Sequence, residues 1–131
     1  MAFDFSVELC GGSDDIHVKS RGLATLEGLR RFTGWLISLP GFRPGLNLLV
    51  DHRDADFSEF SSGDARSRVE DAVILNEKFG DARIAIVVGS VADYGIHRMM
   101  ELLAGDRYTF ETQIFTDVDE AHAWLAQPRG R

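Results

Sequence analysis

Three short apolar-rich runs, at residues 46–50, 84–88 and 112–115, constrain this chain more than any other feature in it. Each is followed by turn chemistry, and two are preceded by stretches with helical spacing of apolar residues. The resulting order of helix, strand, helix, strand, helix, strand predicts a largely parallel sheet covered by helices. In such sheets ligands and partners meet the loops that leave the carboxyl ends of the strands. Here those ends are Asp51-His52, Gly89-Ser90 and Thr116-Asp117.

The first residues behave differently. Phe3, Phe5, Val7 and Leu9 alternate with Asp4, Ser6 and Glu8, the period of a strand with one buried face. Gly11-Gly12-Ser13-Asp14 supplies a turn, and Ile16 and Val18 alternate with His17 and Lys19. An antiparallel hairpin with a loop longer than two residues is expected. The fold class is therefore α/β, an N-terminal β-hairpin followed by helix-strand units in a mixed, mostly parallel five-stranded sheet under about four helices.

The first helix is predicted from Thr25 to about Leu39, with Leu26, Leu29, Phe32, Thr33 and Leu36 on one face and Pro40 beyond its end. A second helix is predicted over residues 62–79, with Ala65, Val69, Ala72, Val73 and Asn76 inward and Gly80 as its stop. The third starts with Ser90 as cap, turns Ala92, Ile96, Met99 and Leu103 inward, and leaves Tyr94, Arg98 and Glu101 facing elsewhere. The last strand is expected over residues 108–115. Thr116 or Asp117 then caps a final helix, with Glu120 three residues after Asp117 as in a capping box, that docks through Val118, Ala121, Trp124 and Leu125.

Composition limits the function classes. At 131 residues, with 44% hydrophobic and 27% charged, the chain fits one domain that buries its own core without disulfide or metal. A net charge of -7 opposes nucleic-acid binding, which needs clustered Lys and Arg; the only lysines are Lys19 and Lys78. The pairs Arg30 with Arg31 and Arg66 with Arg68 each have acidic neighbours in sequence. Cys10 is the lone cysteine and is expected to be a small buried thiol. No basic flank or long apolar segment marks a signal peptide or a membrane insertion, so a cytoplasmic location is the expectation.

Leu48-Leu49-Val50-Asp51, the run from Arg83 through Val88, and Ile114-Phe115-Thr116-Asp117 followed by Glu120-Ala121 and Trp124-Leu125 stand in an order that resembles the SpoIIAA-like or STAS domain family, and the STAS and Sec-fourteen-like domain proteins near it. The resemblance implies a small regulatory or protein-binding domain rather than an enzyme, without a cofactor. In anti-sigma-factor antagonists of that superfamily a serine near the start of the helix after the Asp51-like strand is phosphorylated. The matching stretch here is Phe57-Ser58-Glu59-Phe60-Ser61-Ser62-Gly63, where Phe60 replaces the acidic residue usual before the serine pair.

The candidate site residues follow from these placements. Ser61 or Ser62 is a phosphoacceptor candidate at a helix start, where free N–H groups and the helix dipole favour phosphate; a plain N-cap is the simpler role. Asp51, His52, Ser90 and Asp117 lie at strand ends and are candidates for partner contact. Asp51 and His52 are adjacent on an extended chain and so point to opposite faces, as a strand-end acid and a surface histidine. Residues 88–93 form a strand-to-helix turn that lacks the glycine spacing of a phosphate-binding loop. His17, His52, His97 and His122 fall in four different elements without metal-ligand spacing, so no metal is expected. A protein partner, with a homodimer as one form of it, is the leading expectation. The alternative is a carrier or sensor of a small hydrophobic ligand held between sheet and helices, with Phe32, Trp35, Ile74, Met99 and Met100 as candidate lining. An enzyme requires Asp51, His52, Ser90 and Asp117 to converge on one substrate.

Overall fold

The computed structural model describes residues 2–8 and 15–128, so the Cys10 thiol and the turn at residues 11–14 lie outside the described residues. Alternating chemistry builds the first two strands, β1 (Asp4–Glu8) and β2 (Ile16–Leu23), which pair antiparallel with Glu8 opposite His17. The other strands are β3 (Asn47–Asp56), β4 (Arg83–Val87) and β5 (Glu111–Phe115), and every remaining pairing is parallel, in the order β1-β2-β3-β4-β5. Each step between parallel neighbours requires a crossover, and helices supply it. These are α1 (Leu26–Ile37) before β3, α2 (Ser62–Ile74) with the short α3 (Asn76–Phe79) before β4, and α4 (Val91–Ala104) before β5. The final helix, α5 (Val118–Ala126), follows β5.

The helices divide between the two faces of the sheet, and strand parity decides what each face meets. Leu48, Val50 and Ile84 pack under α1 to α4 with Leu29, Phe32 and Leu36. Leu49, Ala85, Val87 and Phe115 face α5 and its Ala121 and Leu125. Arg83, although buried, is held on the α5 face, where its Nη1 donates to the Gln127 carbonyl at 2.7 Å, its Nε lies 3.9 Å from the Glu111 carboxylate without a hydrogen bond, and its guanidinium lies 4.8 Å from the Trp124 ring centroid.

Four expectations change. The second predicted helix breaks at Leu75, whose ψ of 11° leaves the helical region; the Asn76 amide is tied to the Arg107 carbonyl and the Thr109 N–H, which pins the break and gives a fifth helix. The last strand starts at Glu111 rather than Tyr108, because Thr109 bonds back to Asn76 and Gly80. β3 continues past Val50 to Asp56, since β2 is long enough to pair with it as far as Leu23 opposite Asp56. The inward face of α4 is the expected one in Ile96, Met99 and Leu103, which pack on the core, but Ala92 is exposed, His97 and Ala104 are buried, and Glu101 lines the cavity. That helix has apolar residues around most of its circumference, so spacing alone did not single out one face.

Candidate functional site, a cavity between sheet and helices

Between the sheet and α1 to α4 the side chains do not close. They leave a cavity of about 120 Å³, comparable with the void of about 150 Å³ that accepts benzene in other proteins. Its floor is Leu48, Val50, Ile84 and Ile86 of β3 and β4, consecutive alternate positions of two parallel strands. Leu29, Phe32 and Leu36 of α1, Ala72 of α2, Leu75 just after it, and Phe79 and Phe110 form apolar walls. Seven polar or titratable side chains interrupt this lining: Thr33, His52, Arg68, His97, Glu101, Tyr108 and Thr112.

The two histidines are enclosed by rings. His52 extends the β3 parity of Leu48 and Val50 into the interior, where it is 5% exposed. Its centroid lies 5.7 Å from Phe32, 5.4 Å from Phe57 and 5.6 Å from His97. Its Nδ1 is hydrogen-bonded to the buried Ser20 hydroxyl, which the bulge in β2 beside Ser20 sets against it. His97 Nδ1 lies 3.0 Å from the Asp93 carbonyl; a carbonyl only accepts, so this nitrogen carries the proton and Nε2 the lone pair. Burial lowers both pKa values, that of His97 to about 4 and that of His52 well below the ordinary range, and the nearby Arg68 charge adds to both shifts. Both rings are neutral at neutral pH.

Arg68 is the unusual member of the lining. It is partly buried in α2, its Nη1 donates to the Leu29 carbonyl at 3.3 Å, and no carboxylate pairs with it among the described residues. Asp71, one turn along the same helix, is held by Arg30 through bonds of 2.7 and 3.4 Å. Burial lowers the Arg68 pKa. Glu101 is also committed, accepting from Arg98 at 2.9 Å and from Thr112 at 3.2 Å. Thr33 Oγ1 is buried with no hydrogen-bond partner among the described residues.

Of the strand-end residues, His52 lies on the opposite face of the sheet from Asp51. The Asp51 carboxylate faces the α5 side, where it accepts from the Arg53 backbone N–H at 3.0 Å and from its guanidinium at 2.8 Å. Burial alone would raise its pKa, but the bonds from Arg53 hold it below the ordinary value. His52 lies on the opposite face, and it is buried rather than the surface histidine expected. Ser90 Oγ accepts from Asp93 N–H at 3.1 Å and caps α4; Asp117 accepts from Asp119 N–H at 2.8 Å and caps α5. Gly89, just before Ser90, is needed for close passage, because a Cβ there would lie 2.6 Å from the Arg53 carbonyl oxygen. Ser61 and Asp64 form a reciprocal capping box at the start of α2, with both bonds at 3.0 Å, and Ser62 is the first helical residue. Such a cap contributes about 0.5–2 kcal/mol, and the Asp64 carboxylate beside it would repel an added phosphate.

Of the expected lining, Phe32 and Met100 border the cavity. Ile74 is 78% exposed, because α2 ends there and its last turn faces outward. Trp35 packs instead against Phe5 in a tilted pair with centroids 4.8 Å apart, and Met99 packs on the core outside the cavity. Arg68, His97, Glu101 and Tyr108 were not anticipated as lining. A parity signal was available for His52, two residues after Val50, and helical spacing put Arg68 on the face of Ala65 and Ala72, although its charge argued for water. Among the described residues no group of three His, Cys, Asp or Glu is placed to hold a metal, and no helix is long and apolar enough to cross a membrane.

No protein-family model and no curated protein matches the sequence. A solved structure does match: an uncharacterized protein of the DUF3478 family with a SpoIIAA-like fold from Shewanella loihica PV-4, at a TM-score of 0.59 and 21% identity over 94% of this chain and 93% of that one. The strand order, the N-terminal antiparallel pair and this superposition together show that the chain has the SpoIIAA-like fold.

Proposed function

We propose that this chain is a non-enzymatic binding domain that takes a small ligand with an apolar body into the cavity between the sheet and α1 to α4, as a sensor or carrier. The unfilled space of about 120 Å³ carries this reading, because protein interiors otherwise pack to the density of organic crystals. An enzyme is disfavoured because the polar groups at the strand ends are spent on caps and on the Asp51–Arg53 pair, and His52 is separated from Asp51 by the sheet. Benzene is a suitable first probe. At a hundred times its Kd an occupant adds about 2.7 kcal/mol of stability, read as a rise in Tm. Ala72→Phe, which fills the void from α2, is expected to abolish that rise. A Tm indifferent to benzene in the unaltered protein removes the reading.

A second reading, contact with a protein partner, is supported by an exposed apolar strip. Val91 is 87% exposed, Tyr94 40% and Leu102 67%, and with Arg98 they recur at three- and four-residue spacing along α4. Tyr94→Glu with Leu102→Glu is expected to leave Tm unchanged and to release whatever protein the unaltered chain recovers from native lysate. Undiminished recovery by the double variant, or no recovery by either protein, counts against the strip.

A further inference from the structure

The cavity holds a positive charge that no carboxylate pairs with directly among the described residues, and this bears on what fills it. Arg68 brings a planar fork of five N–H donors into a mostly apolar space and spends one of them on the Leu29 carbonyl. Its natural counter-ion on α2, Asp71, is taken by Arg30. Thr33, on the facing helix, is 7% exposed and adds a buried hydroxyl with no hydrogen-bond partner among the described residues. The Thr33 hydroxyl runs against the usual rule that buried polar groups are satisfied, and Arg68 is a partly buried charge without a paired carboxylate among the described residues.

The position of these two groups is equally informative. A surface groove of about 270 Å³ between α1 and α2 is lined by Arg30, Gly34, Ile37 and Asp71, and it shares Thr33, Arg68 and Leu75 with the internal cavity. Thr33 and Arg68 therefore stand where the groove meets the cavity, with the apolar floor of Leu48, Val50 and Ile84 behind them. Glu101, the acidic group of the lining, has both oxygens engaged by Arg98 and Thr112, and the two histidines are neutral.

We propose that the cavity is selective for a small organic monoanion, a carboxylate with an apolar body of about benzene size. Its carboxylate accepts from the Arg68 guanidinium and the Thr33 hydroxyl at the mouth, and its body lies over β3 and β4. This rests on the cavity being a ligand site and goes further by assigning the charge of the ligand. A carboxylate fits the guanidinium fork in a way that a neutral amide of the same shape does not. Charge-assisted hydrogen bonds in a site shielded from water are worth enough to separate the two by about 10- to 100-fold in Kd.

The test is titration calorimetry at pH 7 with benzoate and benzamide, matched in size and different in charge. Benzoate is expected to bind about 10- to 100-fold tighter. Arg68→Met, which keeps the length and removes the fork, is expected to erase that preference while benzamide still binds. Thr33→Val removes the orphan hydroxyl at constant shape and is expected to weaken benzoate by about 3-fold without lowering Tm, so the assignment can be judged even where Arg68→Met folds poorly. Equal affinity for the two probes, or a benzoate preference that survives in Arg68→Met, overturns the anion assignment and leaves the cavity reading standing. Failure of benzene, benzamide and benzoate alike overturns both.

Discussion

Taking the protein from pH 7 to pH 4 is expected to cost about 3 kcal/mol of folding stability through His97 alone, with a further loss through His52. The sign follows from linkage. In the unfolded chain a histidine gains its proton near pH 6.5, whereas burial holds His97 neutral in the folded state until about pH 4. Between those values the unfolded state binds more protons, so stability is fully present above about pH 6.5 and drains away as the pH falls to about 4. Each histidine that behaves this way contributes a slope of about 1.4 kcal/mol per pH unit within the window. Asp51, held below the ordinary carboxylate value by Arg53, adds its loss only at more acidic pH. Urea unfolding at half-unit pH steps measures the slope. His97→Gln is expected to reduce it by about one proton, and the same slope in that variant as in the unaltered protein would refute the assignment. For a domain whose total stability is about 5–15 kcal/mol, the change is large enough to bring acid unfolding into reach.

Phe57→Ala is expected to destabilise the fold by about 3–5 kcal/mol, the range for removing a fully buried ring. Phe57 is 1% exposed and directly follows β3, with its ring 4.7 Å from His97, 5.4 Å from His52 and 5.6 Å from Phe60. Truncation there opens space beside the existing cavity, so the neighbours have little with which to refill it. Denaturant midpoints at pH 7.5 isolate this packing loss, because both histidines are then neutral in either state. A loss below about 1 kcal/mol would show that the ring is not the keystone its burial implies. The two effects are coupled: water admitted by Phe57→Ala is expected to raise the His97 pKa toward its ordinary value and so to flatten the acid slope.

The cavity was legible only in outline. Phe32, Thr33 and Ala72 were readable as inward because α1 and α2 show helical spacing, and the β3 and β4 floor was readable from alternating or wholly apolar runs. That these surfaces fail to close is a matter of side-chain volumes summed over five elements, which no local window contains. Arg68 shows the same limit more sharply. Helical spacing puts it on the face of Ala65 and Ala72, but a charged residue in a mid-helix stretch is expected to reach water, and only the approach of α1 with its Leu29 carbonyl, together with the diversion of Asp71 to Arg30, decides how its charge is met.

By itself the sequence determined the order of strands and helices and the caps that start α2, α4 and α5, because those depend on groups within one turn or one pleat of each other. Ser61 reaches Asp64, Ser90 reaches Asp93, and Asp117 reaches Asp119, all across two or three residues. The β-branched runs likewise set the parallel sheet, since their only stable use is burial under crossover helices. Tertiary structure alone decided that His52 and His97, 45 positions apart in the chain, share one aromatic enclosure with rings 5.6 Å apart. It also decided that Arg68 stands unpaired where groove and cavity meet. The physical reason is that local propensity acts through backbone geometry and nearest neighbours, whereas burial, desolvation and charge pairing depend on which elements pack against one another.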